Sequence, residues 1–151
     1  MSKRLADDLE KEEKMFNKID ELFEGKTSIG IAGHINPDGD AIGSCLSVYN
    51  YIKKNYPEIK TKAYLESIPE KYKFIKGTDE VEKNGETDCE YDLFISVDCA
   101  DKERLGFAKK YFDGAKETLC IDHHYTNEGF ADVNIVDSKA SAASELMITL
   151  L

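Results

Sequence analysis

Several things are scarce in this chain, and each scarcity removes a class of function. No apolar run approaches the length of a membrane span. Met1-Ser2-Lys3-Arg4 opens into charged sequence rather than the apolar stretch of a signal peptide. Basic residues are the minority: 20 Lys and Arg against 30 Asp and Glu give a formal net charge of −10. A surface of that sign repels long polyanions and argues against duplex binding, while divalent ions can still reverse the sign locally for a small phosphorylated ligand. The 4 cysteines, Cys45, Cys89, Cys99 and Cys120, contain no C-x-x-C pair. Buried, reduced thiols of a cytoplasmic protein are therefore expected. There are no repeats and no low-complexity tract. What remains is 151 residues, 41% apolar and 33% charged, enough for one soluble globular domain with a real core.

The periodicities give the order of elements. Leu5, Leu9, Phe16, Ile19 and Phe23 recur at helical spacing, predicting an amphipathic helix over about residues 4–24 that stops at Gly25. A strand is expected over Thr27–Gly33, a helix marked by Ile42, Cys45, Leu46, Tyr49 and Ile52 and ending near Tyr56-Pro57, and a second strand over Lys60–Leu65. Residues 67–91 are polar and turn-rich, with a short helix expected around Glu70–Ile75. Asp92–Val97 and Thr118–Ile121 read as buried strands, Lys102–Phe112 as a helix stopped by Gly114, Val133–Val136 as a further strand and Ser141–Leu151 as a last helix. Strands alternating with helices predict an α/β, doubly wound, mostly parallel sheet covered on both faces, with ligands beyond the carboxyl ends of the strands.

Three polar stretches fall at those carboxyl ends, and they hold all 3 histidines. The first, His34-Ile35-Asn36-Pro37-Asp38-Gly39-Asp40, puts an imidazole and two carboxylates on one tight loop, in which Pro37 stiffens the turn and Gly39 allows a positive φ or the close approach of a ligand. Asp38 and Asp40 can face different ions while His34 completes one shell; imidazole with carboxylate suits manganese, iron or zinc better than calcium. The competing use is a capping Asp and a surface His. In the second stretch, Asp98 leaves a buried strand and can bridge two ions or simply cap, and Asp101 reads as the cap of the next helix. In the third, Asp122-His123-His124, adjacent residues on extended chain point to opposite sides. One imidazole would then be a ligand and the other would face substrate, with Asp122 orienting a ring from behind; the residues leave open which ring does which. Convergence of the three stretches would make a two-metal hydrolytic site.

Gly33–Ser44, Ser96-Val97-Asp98-Cys99-Ala100-Asp101 and Ile121-Asp122-His123-His124 resemble the successive motifs of the DHH phosphoesterases, over nearly all of the chain from about Lys26. Asn36–Ser44, with Ala142-Ala143-Ser144-Glu145-Leu146 later, is most similar to the oligoribonuclease and 3′-phosphoadenosine-5′-phosphate phosphatase branch. Family II inorganic pyrophosphatases share His-x-x-x-Asp-x-Asp but usually carry Thr where this chain has Gly39. The resemblance implies two divalent ions, most often manganese, bridged by Asp98, with His34 and Asp38 on one, Asp40 and His123 on the other, His124 at the scissile phosphate and Asp122 behind a ring. It implies hydrolysis of short RNA or DNA oligonucleotides or of 3′,5′-bisphosphate nucleotides, with pyrophosphatase and cyclic-dinucleotide phosphodiesterase as alternatives. Tyr64, Tyr72 and Phe74 are available to stack on a base or to pack. The match stops short of the family's Asp-Thr-Gly stretch, for which Asp132 and Asp137 come too soon, and of the Gly-Gly-Gly-His of a second lobe. The final helix is apolar to its last residue. The expectation is therefore the first, catalytic lobe of a longer enzyme without its substrate-binding lobe, able to self-associate as a homodimer. An inactive fragment that holds metal or nucleotide is the reading from another class.

Overall fold

The aliphatic runs become five parallel strands in the order β2-β1-β3-β4-β5: β1 Ser28–Ala32, β2 Lys60–Tyr64, β3 Leu93–Val97, β4 Glu117–Asp122 and β5 Val133–Val136. The computed structural model describes residues 2–151, with the side chains of Glu12, Met15, Phe16 and Asn17 left out, so the place of Phe16 on the first helix's stripe lies outside the described residues. Helices α1 Lys3–Phe23, α2 Gly39–Asn55, α3 Lys109–Gly114 and α4 Ala143–Leu150 complete the α/β architecture. None of the described helices is long and apolar enough to cross a membrane.

Alternation along the strands decides which face each side chain joins. Ile29 and Ile31, Leu93, Ile95 and Val97, and Leu119 and Ile121 form an aliphatic core with Ile19 and Phe23 of α1, Leu46 and Ile52 of α2, and Leu146, Met147 and Leu150 of α4. Ala32, Tyr64 and Phe94 face the other way, into a cluster with Tyr91, Leu105, Tyr111 and Phe112. Both faces are thus covered, as the sequence predicts, and every strand pair is parallel. Tyr64 sits inside the aromatic cluster, stacked on Tyr111 at 4.6 Å, which removes it from any stacking role toward a ligand. Phe74 is exposed and Tyr72 half-buried.

Cys45, Cys99 and Cys120 are buried free thiols and Cys89 is half-buried. Burial pushes the first three up to about 12, so they stay protonated and poor as metal ligands.

Two expectations change. The helix over 102–112 is broken: a 3₁₀ segment spans Lys102–Ala108, with Gly106 at φ 59, ψ −129, before α3 begins at Lys109. A Cβ at Gly106 would lie 2.6 Å from Ile35 Cγ2, so the break lets this segment press against the first polar loop. Between β2 and β3 there are only two short 3₁₀ turns, Glu70–Tyr72 and Thr78–Glu80, in place of a helix reaching Ile75.

The chain reverses its direction of winding between β1 and β3. In a sheet of order 2-1-3-4-5 that switch point opens a crevice at the carboxyl edge. The loops after β1, β3 and β4 all end there.

Candidate metal centre

The loop after β1 is shaped by its neighbours rather than by its own turn chemistry. Ile35 N–H donates to Arg104 O at 2.7 Å. Asn36, at φ 48, donates its N–H to Glu66 Oε1 at 2.5 Å. The positive φ expected at Gly39 is therefore found at Asn36. Gly39 is instead the first residue of α2, and a side chain there would meet the Tyr72 hydroxyl at 2.8 Å. Asp38 caps α2 by accepting Ala41 N–H at 2.9 Å, and its side chain is 65% exposed. His34 Nδ1 lies 2.6 Å from Ile35 O; a carbonyl only accepts, so the neutral ring carries its proton on Nδ1. The bare Nε2 faces Asp98 Oδ2 at 3.5 Å and Asp38 Oδ1 at 3.7 Å. The Asp98 carboxylate beside it raises the pKa of His34, against the lowering effect of burial.

Asp98 follows β3 in the left-handed region, φ 52, at 2% exposure. For a non-glycine residue such backbone costs of order 1–3 kcal/mol and persists only where surroundings enforce it. Here it aims the carboxylate between two imidazoles: Oδ2 toward His34 as above, Oδ1 toward His123 Nε2 at 3.2 Å. Burial raises the pKa of Asp98; the His34 contact lowers it, and the charges of Asp40 and Asp38 raise it further. Among the described residues no Lys or Arg pairs with Asp38, Asp40, Asp98 or Asp122. Acids gathered around a buried carboxylate without a basic partner suit a cation.

The strand pairing of β4 ends at Asp122. The alternation expected of His123 and His124 is lost with it. Their rings lie 4.5 Å apart, and both turn toward Asp98 Oδ1, at 3.2 and 4.0 Å. Asp122 is fully buried and accepts from His124 Nδ1 at 2.7 Å, so the ring it orients is His124. His123 Nε2 also lies 3.5 Å from Asp40 Oδ2.

Donor atoms of His34, Asp38 and Asp98 lie within 4.8 Å of one another, as do those of Asp98, Asp122, His123 and His124. Asp98 belongs to both groups. Imidazole and carboxylate donors sharing a buried acid fit first-row divalent ions. Asp122 is a poor ligand despite its place in the second group, because it is fully buried beneath the His124 ring that it orients, whereas Asp40 keeps part of its side chain exposed. Asp40 stands outside both groups. Its Oδ2 accepts Ala143 N–H at 2.9 Å and its Oδ1 accepts Ser144 N–H at 2.8 Å, the first amides of α4. Burial raises the pKa of Asp40, but hydrogen bonds, foremost those from the Ser144 and Ala143 amides, together bring the net shift downward. Asp101 caps the 3₁₀ segment through Arg104 N–H, as the sequence predicts. Asp132 is committed to Thr118 at the other end of β4.

Sequence reasoning misses Glu66, the α4 amides and Asn127. The turn cue Asn127-Glu128-Gly129 is visible in the sequence, but nothing local shows that Asn127 reaches Asp122.

Known proteins share the sequence and the fold of this chain. The chain is 33% identical over 122 residues to the probable bifunctional oligoribonuclease and PAP phosphatase NrnA of Streptococcus mutans, covering 80% of this chain and 37% of that protein. It is 35% identical over 118 residues to the bifunctional oligoribonuclease and PAP phosphatase NrnA of Bacillus subtilis, covering 78% and 36%. It thus spans about a third of the length of these curated relatives. The crystal structure of an exopolyphosphatase-related protein from Bacteroides fragilis shares the fold, with a TM-score of 0.77 at 22% identity over 91% of this chain and 43% of that one. Residues 28–151 match the profile described as the DHH family, N-terminal domain, and the chain belongs to that family.

Proposed function

We propose that this chain is the metal-binding lobe of a phosphoesterase that hydrolyses short oligonucleotides or 3′,5′-bisphosphate nucleotides with two divalent ions, manganese foremost. The observation that carries the reading is Asp98. Each oxygen of this one buried carboxylate faces a different imidazole, His34 Nε2 at 3.5 Å and His123 Nε2 at 3.2 Å, which is the arrangement a bridging ligand needs. His34 and Asp38 would hold one ion, and Asp40 and His123 the other. Bound ions supply acidified water and neutralise phosphate charge, the two requirements of in-line phosphoester hydrolysis. The chain supplies geometry. Ile35 O keeps the His34 proton on Nδ1 and so leaves Nε2 as the donor atom. Asp122 does the same for His124, whose side chain is 41% exposed and so would be free to meet the substrate phosphate. The names of the relatives support the substrate class, and the free thiols suit a reducing compartment such as the cytoplasm.

Calorimetric titration with Mn²⁺, and release of phosphate from 3′-phosphoadenosine-5′-phosphate or of mononucleotides from a dinucleotide, test the reading. Two equivalents of metal and Mn²⁺-dependent release are expected, and Asp98→Ala abolishes both. Turnover that survives that substitution ends the bridging role. Because the chain spans about a third of its relatives' length, binding and turnover are read separately. Tight metal binding without release assigns a metal-holding lobe rather than a complete enzyme.

A further inference from the structure

Asn127 lies just past His124, outside the donor groups, and its side chain is the hub of the contacts beneath that end of the site. Its Oδ1 accepts Gly129 N–H at 2.8 Å. Its Nδ2 donates to Asp122 Oδ2 at 2.9 Å and lies 3.3 Å from Cys99 O and 3.4 Å from Cys120 Sγ. These partners fix the amide's orientation, since the flipped form would set its oxygen against a carboxylate and a carbonyl. Asp122 is fully buried and uses each oxygen for one of these bonds: Oδ2 for Asn127, Oδ1 for His124 Nδ1 at 2.7 Å. A carboxylate only accepts, so neutral His124 is protonated on Nδ1 and offers Nε2 from the opposite edge of the ring.

We infer that Asn127 is a positioning residue for His124, acting through Asp122. The inference rests on the reading in which His124 meets the phosphate. Without the amide, Asp122 Oδ2 is a charged acceptor left unpaired in a dry environment. The carboxylate then turns or takes up a proton, and the imidazole loses the partner that sets its rotamer and tautomer. The neighbouring ring is independent of this device, because His123 Nε2 faces Asp98 and Asp40. The amide also ties the turn after β3, through Cys99 O, to the end of β4, so it registers His124 against the loop that carries Asp98.

Ring ¹⁵N NMR on the metal-free chain reads the effect directly, because 3 histidines can each be assigned by a single substitution. In the wild type, His124 shows the Nδ1–H tautomer. In Asn127→Ala it moves toward the Nε2–H form that a free side chain prefers, while His34 stays Nδ1–H on its Ile35 carbonyl. Asn127→Ser keeps an acceptor for the Gly129 amide but lacks the donor. It separates turn from lock, replaces the alanine variant if that one does not fold, and gives the same shift. With Mn²⁺ and 3′-phosphoadenosine-5′-phosphate, kcat falls about 10- to 100-fold while KM and metal affinity hold. An unchanged His124 tautomer in both variants overturns the inference whatever the activity does, and so does a moved tautomer with kcat intact. A moved tautomer in a chain whose wild type releases nothing leaves Asn127's hold on His124 standing and assigns a metal-holding lobe rather than a complete enzyme.

Discussion

The two flanks of Asp98 carry the same chemistry, imidazole beside carboxylate, and are held by different means. The His34–Asp40 flank is braced from far along the chain: Ile35 by Arg104 O, Asn36 by Glu66, and Asp40 by the amides of Ala143 and Ser144, more than a hundred residues away. The Asp122–His124 flank is braced from close by, with His124, Asp122 and Asn127 bonding one another within six residues. The first exists only once sheet and α4 have assembled. The second is a local knot that needs the rest of the fold mainly to keep it dry. Similar residues at neighbouring strand ends thus depend on folding to different degrees.

The largest expected effect removes what both flanks share. Asp98→Ala takes away the only acid between His34 and His123 among the described residues, and Mn²⁺ affinity measured by calorimetry falls by more than about 100-fold at both positions. Gly106→Ala comes next and strikes the distant brace alone. Its Cβ would lie 2.6 Å from Ile35 Cγ2, at φ 59. A stability loss of about 1–3 kcal/mol is expected in thermal or chemical denaturation, with weaker metal binding on the His34 side and an unchanged His124 tautomer. A disturbed His124 would show that the flanks are not independent.

A smaller effect appears with pH in chelated protein. The Asp98 contact raises the pKa of His34 above its ordinary 6.5. The stability this contributes is therefore complete below pH 6.5 and drains away as pH rises through the folded-state value. Melting temperatures should fall over that window in the wild type and stay nearly level in His34→Gln. The smallest change belongs to Ser44→Ala. The Ser44 hydroxyl, 3.4 Å from Asp40 Oδ1, is a longer and weaker contact than the two α4 amides. Stability should shift by less than about 0.5 kcal/mol.

The same contrast explains what the sequence could reveal. Leu93–Val97 and Thr118–Ile121 are legible as buried strands because a short, mainly apolar run leaves few alternatives, and the polar residues after them mark the carboxyl edge without further help. His34, Asp38, Asp98, His123 and His124 do meet, because each lies within a few residues of a strand end. The break at Gly106, the positive φ of Asn36 and the true neighbour of Gly39 are set by Ile35, Glu66 and Tyr72 across the fold, and no local pattern encodes them. The alternation applied to His123 and His124 is a rule for extended chain, and the chain has already left the strand there.

Asp40 has one more consequence. Ala142 stands at the head of α4 with no polar side chain to offer its amides, and Asp40 takes that part from more than a hundred residues earlier. Seating that helix and setting out that acid are one event. Whatever loosens the helix strips the acid of its two amide protons and frees it to swing, and whatever draws the acid away unravels the first turn. By mass action, a cation captured at this corner would tighten the seat of α4.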